Sequence, residues 1–199
     1  MSSHSVLGIR ADRPTKPTRL PGVDGVWVFI GADSVIFAVL FLSFMNDRRK
    51  EPGLFEASSD TLNYNLRGLD TLILLTSSWL VALGVQAARA GDLDRTSRFL
   101  LGGMLTGCAF VVSKSTEYTE KFVAGITPNT DAFYMWYFTL TGIHLLHVLV
   151  GTGLITYLWI KARRKTVNIK GTECIASYWH LVDLLWIVLF PLLYLLQGR

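Results

Sequence analysis

Residues 133–160 read FYMWYFTLTGIHLLHVLVGTGLITYLWI, a run that contains no Asp, Glu, Lys or Arg. As a helix rising about 1.5 Å per residue, this run is longer than the roughly 30 Å hydrocarbon core of a bilayer. A helix satisfies its backbone polar groups within itself in lipid, so the run predicts a transmembrane helix. Two histidines, His144 and His147, lie near its centre, one turn apart. The predicted helix therefore carries polar groups deep in the membrane.

Four further apolar runs of spanning length occur along the chain, and short connections separate them. They cover residues 26–45, 69–88, 99–122 and 174–196. Hydrophobic residues make up 51% of the chain and charged residues 17%, a balance typical of an integral membrane protein and not of a soluble domain. We therefore predict an all-α polytopic membrane protein in which residues 24–199 form one domain, a bundle of five transmembrane helices.

Residues 1–23 are polar and basic and contain three prolines. They lack the apolar core of a secretory signal, so we expect a disordered cytoplasmic tail. Twelve Lys and Arg residues fall on the tail's side of the predicted spans and six on the other side. The positive-inside rule then predicts a cytoplasmic N-terminus and an external C-terminus. The net charge of +4 reflects this topology, and we expect no nucleic-acid partner because the basic residues form no single stripe.

Three of the predicted spans each carry two ionisable residues one turn apart. Each such charge costs at least roughly 2.5 to 3.5 kcal/mol at a helix centre in lipid. The i, i+3 spacing places both members of a pair on one face of the helix, so all three pairs are expected to point at a shared interior. The pairs are Glu117 with Glu120, His144 with His147, and His180 with Asp183.

The deeper ionisable groups need partners inside the bundle. Lys114 lies one turn before Glu117 in the third span, so these two residues are an expected ion pair. For the other groups the sequence leaves the pairing open. The candidates are His147 or His180 with Asp183 or Asp33.

Three other functional classes remain open from the residues alone. A diiron enzyme would also present carboxylates and histidines at i, i+3 spacing, although Glu117 and His180 are expected roughly 15 Å apart along the membrane normal. A haem between two helices would need two histidines at one depth, and His147 with His180 fit this only loosely. A small transporter would show an inverted repeat with broken helices, which the sequence lacks. A compact metal site is therefore disfavoured.

Four motifs in register resemble a known family. STEYTEKF at 115–122, TGIHLLHVLVG at 141–151 and SYWHLVDLLWIVLF at 177–190 resemble successive helices of subunit III of haem-copper oxidases, which includes cytochrome c oxidase subunit 3. GVWVFIGADSVIF at 25–37 resembles the family's third helix, with Asp33 in place of the usual carbodiimide-reactive Glu. Glu173 also has a counterpart in the family. The resemblance covers residues 22–197.

Two departures from the family pattern narrow the resemblance. Mitochondrial-type subunit III has seven helices, two more than the five predicted here. In this respect the chain resembles the five-helix bacterial forms. Lys114, the string EYTEKFVAGITP at 117–128 and the ending DLLWIVLFPLLYLL at 183–196 are most similar to the branch associated with bacterial nitric oxide reductase.

The resemblance implies an accessory, non-catalytic subunit of a bacterial haem-copper oxidase or nitric oxide reductase in the inner (cytoplasmic) membrane. Such a subunit binds no metal or haem itself. It packs against catalytic subunit I, which holds the haem and copper or non-haem iron, binds structural phospholipid and supports proton uptake. Asp33 is then the candidate proton-exchanging, carbodiimide-reactive group. The expected buried polar network consists of Lys114, Glu117, Glu120, His144, His147, Glu173, His180 and Asp183.

Overall fold

The computed structural model describes residues 24–59 and 64–195. Within them six helices follow one another: α1 (Asp24–Lys50), α2 (Pro52–Ser59), α3 (Tyr64–Arg89), α4 (Leu93–Val123), α5 (Ala132–Arg163) and α6 (Ile169–Phe190). A π-helical turn, Pro191–Leu195, extends α6. All of the helices except α2 are long and apolar enough to cross a membrane. The predicted all-α fold with five spans is confirmed, whereas the expected tail at residues 1–23 lies outside the described residues.

Helix α2 is an addition to the predicted spans. Its Phe55 is buried and packs edge-on against Phe44 of α1 and Phe133 of α5, with ring centroids 5.6 and 5.8 Å apart. So short a segment carries no readable hydrophobic period, which is why the sequence did not indicate it. The aromatic contacts of α2 tie the end of α1 to the start of α5.

The long helices begin and end at residues with special backbone roles. Asp92 and Asp131 cap α4 and α5 by accepting hydrogen bonds from the backbone N–H groups of Arg95 (3.0 Å) and Tyr134 (2.8 Å). Gly91, in the turn after α3, has a φ of 78°, which costs glycine nothing. Such short connections place consecutive long helices antiparallel and side by side.

Helices α3 to α6 form a ring in which α3 packs on α4 and α6, and α5 packs on α4 and α6. Helix α1 lies outside this ring, against α5 and α6. Its aliphatic side chains point mostly outward, and Val28 and Leu42 are 74% and 70% exposed. In a membrane, most of the surface of α1 therefore faces lipid or another chain.

Glycines set the closest approaches between helices of the ring. A Cβ on Gly151 of α5 would lie 2.6 Å from the Trp179 ring of α6. One on Gly103 of α4 would lie 2.8 Å from Val81 of α3. Gly107, one turn after Gly103, is packed as closely. The small residues let backbones approach closely, as in other membrane bundles.

The last span changes its helix type at a proline. Pro191 has no backbone N–H, so the α-helical hydrogen-bond pattern cannot continue through it. The chain responds with the π-helical turn, in which Leu193 and Tyr194 are buried against the bundle. This change of helix type accompanies the burial of Tyr194 in the core.

Candidate functional site

A closed triangle of polar groups lies in the half of the ring next to the π-helical turn. The Lys114 Nζ of α4 is 2.6 Å from the Glu117 Oε2 and 2.8 Å from the Tyr194 hydroxyl oxygen. The Tyr194 hydroxyl in turn donates to the Glu117 Oε1 at 3.2 Å. All three side chains are buried. The ion pair expected within α4 is therefore present, with a tyrosine as its third member.

Aromatic rings surround the ammonium group of this triangle. The Lys114 Nζ lies 5.0 Å from the Trp186 ring centroid, 5.2 Å from that of Tyr137 and 5.4 Å from that of Tyr194. Ring faces attract a cation, and the attraction grows when water is excluded. The charge is thus held by a carboxylate, a hydroxyl group and the surrounding rings, all of which act against the cost of its desolvation.

A second pair joins α1 to α5 and consists of the buried Asp33 and the half-buried His147. The His147 Nδ1 lies 2.8 Å from the Ile143 carbonyl oxygen, which can only accept, so Nδ1 carries a proton and donates it. The His147 Nε2 lies 3.2 Å from the Asp33 Oδ1. This second contact needs one proton, placed either on Asp33 with a neutral imidazole or on the Nε2 of an imidazolium. The pair therefore shares a single exchangeable proton.

The other Asp33 oxygen has a different environment. Oδ2 is buried and makes no hydrogen bond within the described residues. An unsatisfied buried carboxyl oxygen costs about 1–3 kcal/mol or more. A further hydrogen-bond donor at Oδ2 would therefore stabilise the site. Of the pairings left open by the sequence, the structure selects Asp33 with His147.

His144 does not behave as expected. We expected it to join a polar network, but neither ring nitrogen has a hydrogen-bond partner in the described part of the chain. The ring instead stacks on Trp186 with centroids 5.1 Å apart and meets the edge of Phe110 at 5.7 Å. Its turn of α5 faces an aromatic layer of the core, so His144 packs as an aromatic ring.

His180 and Asp183 also depart from the expected pairing. The His180 Nδ1 shares a 2.6 Å hydrogen bond with the Ser78 hydroxyl of α3, and among the described residues it makes no hydrogen bond to Asp183 or Asp33. Asp183 is buried, and both of its carboxyl oxygens lack hydrogen-bond partners among the described residues. Of the pairings that the sequence left open, those of Asp183 with a histidine are therefore not present among the described residues.

The two remaining residues of the expected network lie at its margins. Glu120 is exposed, because it points away from the face of α4 that buries Glu117. Glu173 is half-buried and binds Arg89 of α3, with the Nη2 2.8 Å from the Oε1. Glu120 is thus not a buried group, and Glu173 joins the ends of α3 and α6 at the surface.

The polar groups do not converge on one point. Among the described residues, no three His, Cys, Asp or Glu side chains lie close enough together to hold a metal ion. The carboxylate of Glu117 is bound to Lys114, and that of Asp33 to His147. This arrangement does not resemble a diiron site, in which carboxylates and histidines share two ions.

Two site residues were missed by sequence reasoning. Tyr194 completes the Lys114 triangle, and Ser78 binds His180. Tyrosine and serine are common in membrane helices, so neither stands out by its type. Asp70 of α3 is a further buried carboxyl group that the spacing argument did not single out, because it lies near the start of its span.

Comparison with known proteins places this sequence in a family. A sequence profile described as Cytochrome c oxidase subunit III matches residues 21–197. The chain belongs to that family. This subunit III family member is similar to quinol oxidase subunit 3 of Bacillus subtilis, with 29% identity over 175 residues, 86% of this chain and 85% of that protein. It is 30% identical to a probable cytochrome c oxidase subunit 3 of Mycobacterium leprae over 178 residues, 87% of each protein.

A third relative has a different chain organisation. The heme-copper oxidase subunit I+III of Aeropyrum pernix is 28% identical over 181 residues, which cover 85% of this chain but 22% of that longer protein. The family recognised in the four sequence motifs is confirmed by these matches. With five apolar spans, the subunit III family member is a multi-pass membrane protein.

Proposed function

We propose that this protein is the accessory, non-catalytic subunit III of a bacterial haem-copper respiratory oxidoreductase. The observation that carries the proposal is the family match over residues 21–197. The partner is a catalytic subunit I, and the relative named subunit I+III supports this because it joins both names in one protein. The haem and copper, or non-haem iron, belong to that partner, and the redox chemistry takes place there.

Asp33 and His147 give the accessory subunit its part in proton uptake. Their shared proton moves between a carboxyl and an imidazole group, so the pair both accepts and releases protons without moving the helices. The pair joins α1 to α5. Helix α1 is the span with the least buried surface, so a group on it exchanges protons with a neighbouring chain more readily than one inside the ring.

Structural phospholipid binds along the outward face of α1. The exposed aliphatic residues of this helix offer acyl chains an apolar surface. The positive-inside count favours a cytoplasmic N-terminus and an external C-terminus in the inner membrane. Basic side chains beside the spans, such as Arg163 and Lys170, then lie at the level of anionic headgroups.

The branch of the family is a finer proposal. The buried Lys114, with its partners Glu117 and Tyr194, belongs to the strings that resemble the nitric-oxide-reductase-associated branch. The relatives compared above are named as subunits of quinol or cytochrome c oxidases. The test must therefore distinguish an oxygen-reducing oxidase from a nitric oxide reductase. The lysine triangle is the structural feature by which we favour the nitric oxide reductase.

Affinity purification from native membranes in mild detergent tests the function. The expected result is co-elution of a haem-containing subunit I with a Soret band, identified by its peptides. Those peptides name the branch, oxygen reductase or nitric oxide reductase. The control is the same preparation from cells with an untagged chain. Elution without any haem protein, or with stoichiometric iron that is lost on His147→Ala, would overturn the accessory role.

A further inference from the structure

A second polar path enters the ring from the end that carries Arg89 and Glu173, far from the lysine triangle. A cavity of about 220 Å³ opens there between α3 and α6. Its polar lining includes Gln86, Arg89, Glu173, Ser177 and His180. The cavity is large enough for several waters, and its lining supplies the partners that water needs. His180 forms its deepest polar group on α6.

Beyond His180 the path continues through one hydroxyl group. The Ser78 hydroxyl lies 2.6 Å from the His180 Nδ1. Asp183 follows His180 by one turn on the same face of α6, so its carboxyl group lies on the side of the helix that meets Ser78, and the two side chains interact electrostatically. Neither Asp183 oxygen meets hydrogen-bond geometry with any described residue, whereas the Ser78 hydroxyl does so with His180.

Asp183 lies at the closed end of this path. It is buried at 3% exposure, and the described residues provide neither a counter-ion nor a hydrogen bond for its carboxyl oxygens. Titratable groups on the packed helices are engaged elsewhere: His144 of α5 stacks on Trp186, and Asp33 of α1 binds His147. Burying a bare carboxylate costs several kcal/mol, whereas a neutral carboxylic acid is tolerated.

We propose that Asp183 is a proton-storing group that is loaded through the α3–α6 cavity by way of His180 and Ser78. A protonated His180 passes the proton on its Nδ1 to the Ser78 oxygen, while the Ser78 proton moves to an Asp183 oxygen. An imidazolium and a carboxylate thereby become an imidazole and a carboxylic acid, and serine is unchanged. A rotation of the Ser78 hydroxyl between its two neighbours is the only movement needed.

This storage site is separate from the Asp33–His147 pair and from any catalytic partner. Its atoms lie on α3 and α6, and its opening is at the Arg89–Glu173 end of the bundle. A negative result for the storage site would therefore leave the accessory function untouched, and the reverse also holds. The chain alone in lipid vesicles is sufficient for the test.

Infrared spectroscopy of the full-length chain in vesicles measures the site directly. The background variant Asp33→Asn removes the other carboxyl group of interest. At neutral pH a protonated carboxyl C=O stretching band is expected, and Asp183→Asn should remove it. On transfer to D₂O the band should shift rapidly, and Ser78→Ala should slow that shift by at least an order of magnitude.

The neighbouring serine is the matched control. Ser77 is also buried on α3, but its hydroxyl donates to the Gly103 carbonyl oxygen at 3.0 Å and lies outside the path. Ser77→Ala should leave the deuterium shift at the rate of the background variant. A missing band, or equal rates in Ser78→Ala and Ser77→Ala, would overturn the inference. If Asp183→Asn does not accumulate, the two serine variants still give the answer on the native aspartate.

Discussion

Asp33 of α1 and His147 of α5 meet across 3.2 Å and hold one proton between them. The contact sits where α1 leans on the ring, and Phe37 covers the imidazole with its ring centroid 5.5 Å away. A polar link thus joins α1, the span with the least buried surface, to α5 of the ring. Replacing Asp33 with Asn distinguishes a role in proton exchange from a role in structure. The amide keeps the hydrogen bond to His147 but has no acidic proton to exchange.

Asp33→Asn should leave the complex assembled, with normal haem content and nearly normal initial turnover. The Asn amide donates to the His147 Nε2, so the helices stay joined. The working life of the enzyme should shorten, or its proton uptake should slow. Turnover followed over time in the purified complex measures this. Asp47→Asn, at the far end of α1, is the control. Loss of all turnover in a fully assembled Asp33→Asn complex would contradict the accessory assignment.

A hydrophobic carbodiimide should label Asp33 in preference to Glu117. Asp33 stands at the position that resembles the family's carbodiimide-reactive carboxyl group, and its Oδ2 has no hydrogen-bond partner among the described residues. Glu117 is held as a carboxylate by Lys114 at 2.6 Å. Mass spectrometry of the labelled peptides gives the ratio. Replacing Lys114 with Met should make Glu117 reactive as well. Labelling of Glu117 before Asp33 in the native chain would contradict this preference.

Lys114→Met should destabilise the bundle by about 3–5 kcal/mol, because it leaves the Glu117 carboxylate buried without its counter-ion. The double variant Lys114→Met with Glu117→Gln should recover much of the loss. Thermal unfolding in detergent and the amount of chain in the membrane are the measurements. Glu120→Gln is the control on the same helix, and it should change little because Glu120 is exposed. Equal tolerance of all variants would mean that water reaches the lysine.

His144→Phe should keep or raise the thermal stability, whereas His147→Phe should lower it. The imidazole of His144 packs between Trp186 and Phe110 without a hydrogen bond to the described residues, and phenylalanine provides a similar ring without polar atoms. His147→Phe removes the partner of Asp33. Melting temperatures of the two variants decide the comparison. A marked loss in His144→Phe would reveal a ligand on its ring nitrogens.

Gly151→Ala should cost about 1–3 kcal/mol by overpacking, since the new methyl group would lie 2.6 Å from the Trp179 ring. Two residues later, Gly153 has nothing within 4 Å of the same position. Gly153→Ala should be neutral or stabilising by about 0.5–1 kcal/mol, because alanine favours the helix. Thermal unfolding of both variants measures the difference. Similar stability would place α5 and α6 farther apart than described.

The five spans were predictable from sequence because hydropathy is a local property of each segment. The same holds for Lys114 with Glu117, which are neighbours on one helix. Glu120 was misplaced because residues three apart still differ by about 60° around the helix axis. That angle is enough to turn Glu117 inward and Glu120 outward.

Pairs between helices could not be assigned from spacing. Asp33 had two candidate histidines, and only the rotation and crossing of α1 against α5 bring it to His147. Ser78 meets His180 because α3 packs against α6, although these helices are far apart in the sequence. Neither rotation is encoded in an apolar run, since lipid-facing and ring-facing positions are equally hydrophobic.

The π-helical turn that begins at Pro191 changes which face of the last span each following residue occupies. A π-turn spans one residue more per hydrogen-bonded loop than an α-turn does. Each residue of an α-helix advances the side-chain direction by about 100°, so the extra residue rotates everything beyond it by that amount. Tyr194 lies within this turn, so part of that rotation applies to it, and its hydroxyl meets the Lys114 ammonium group at 2.8 Å. The length of the segment after Phe190, and not its composition alone, thus tunes the electrostatics at the opposite wall of the bundle.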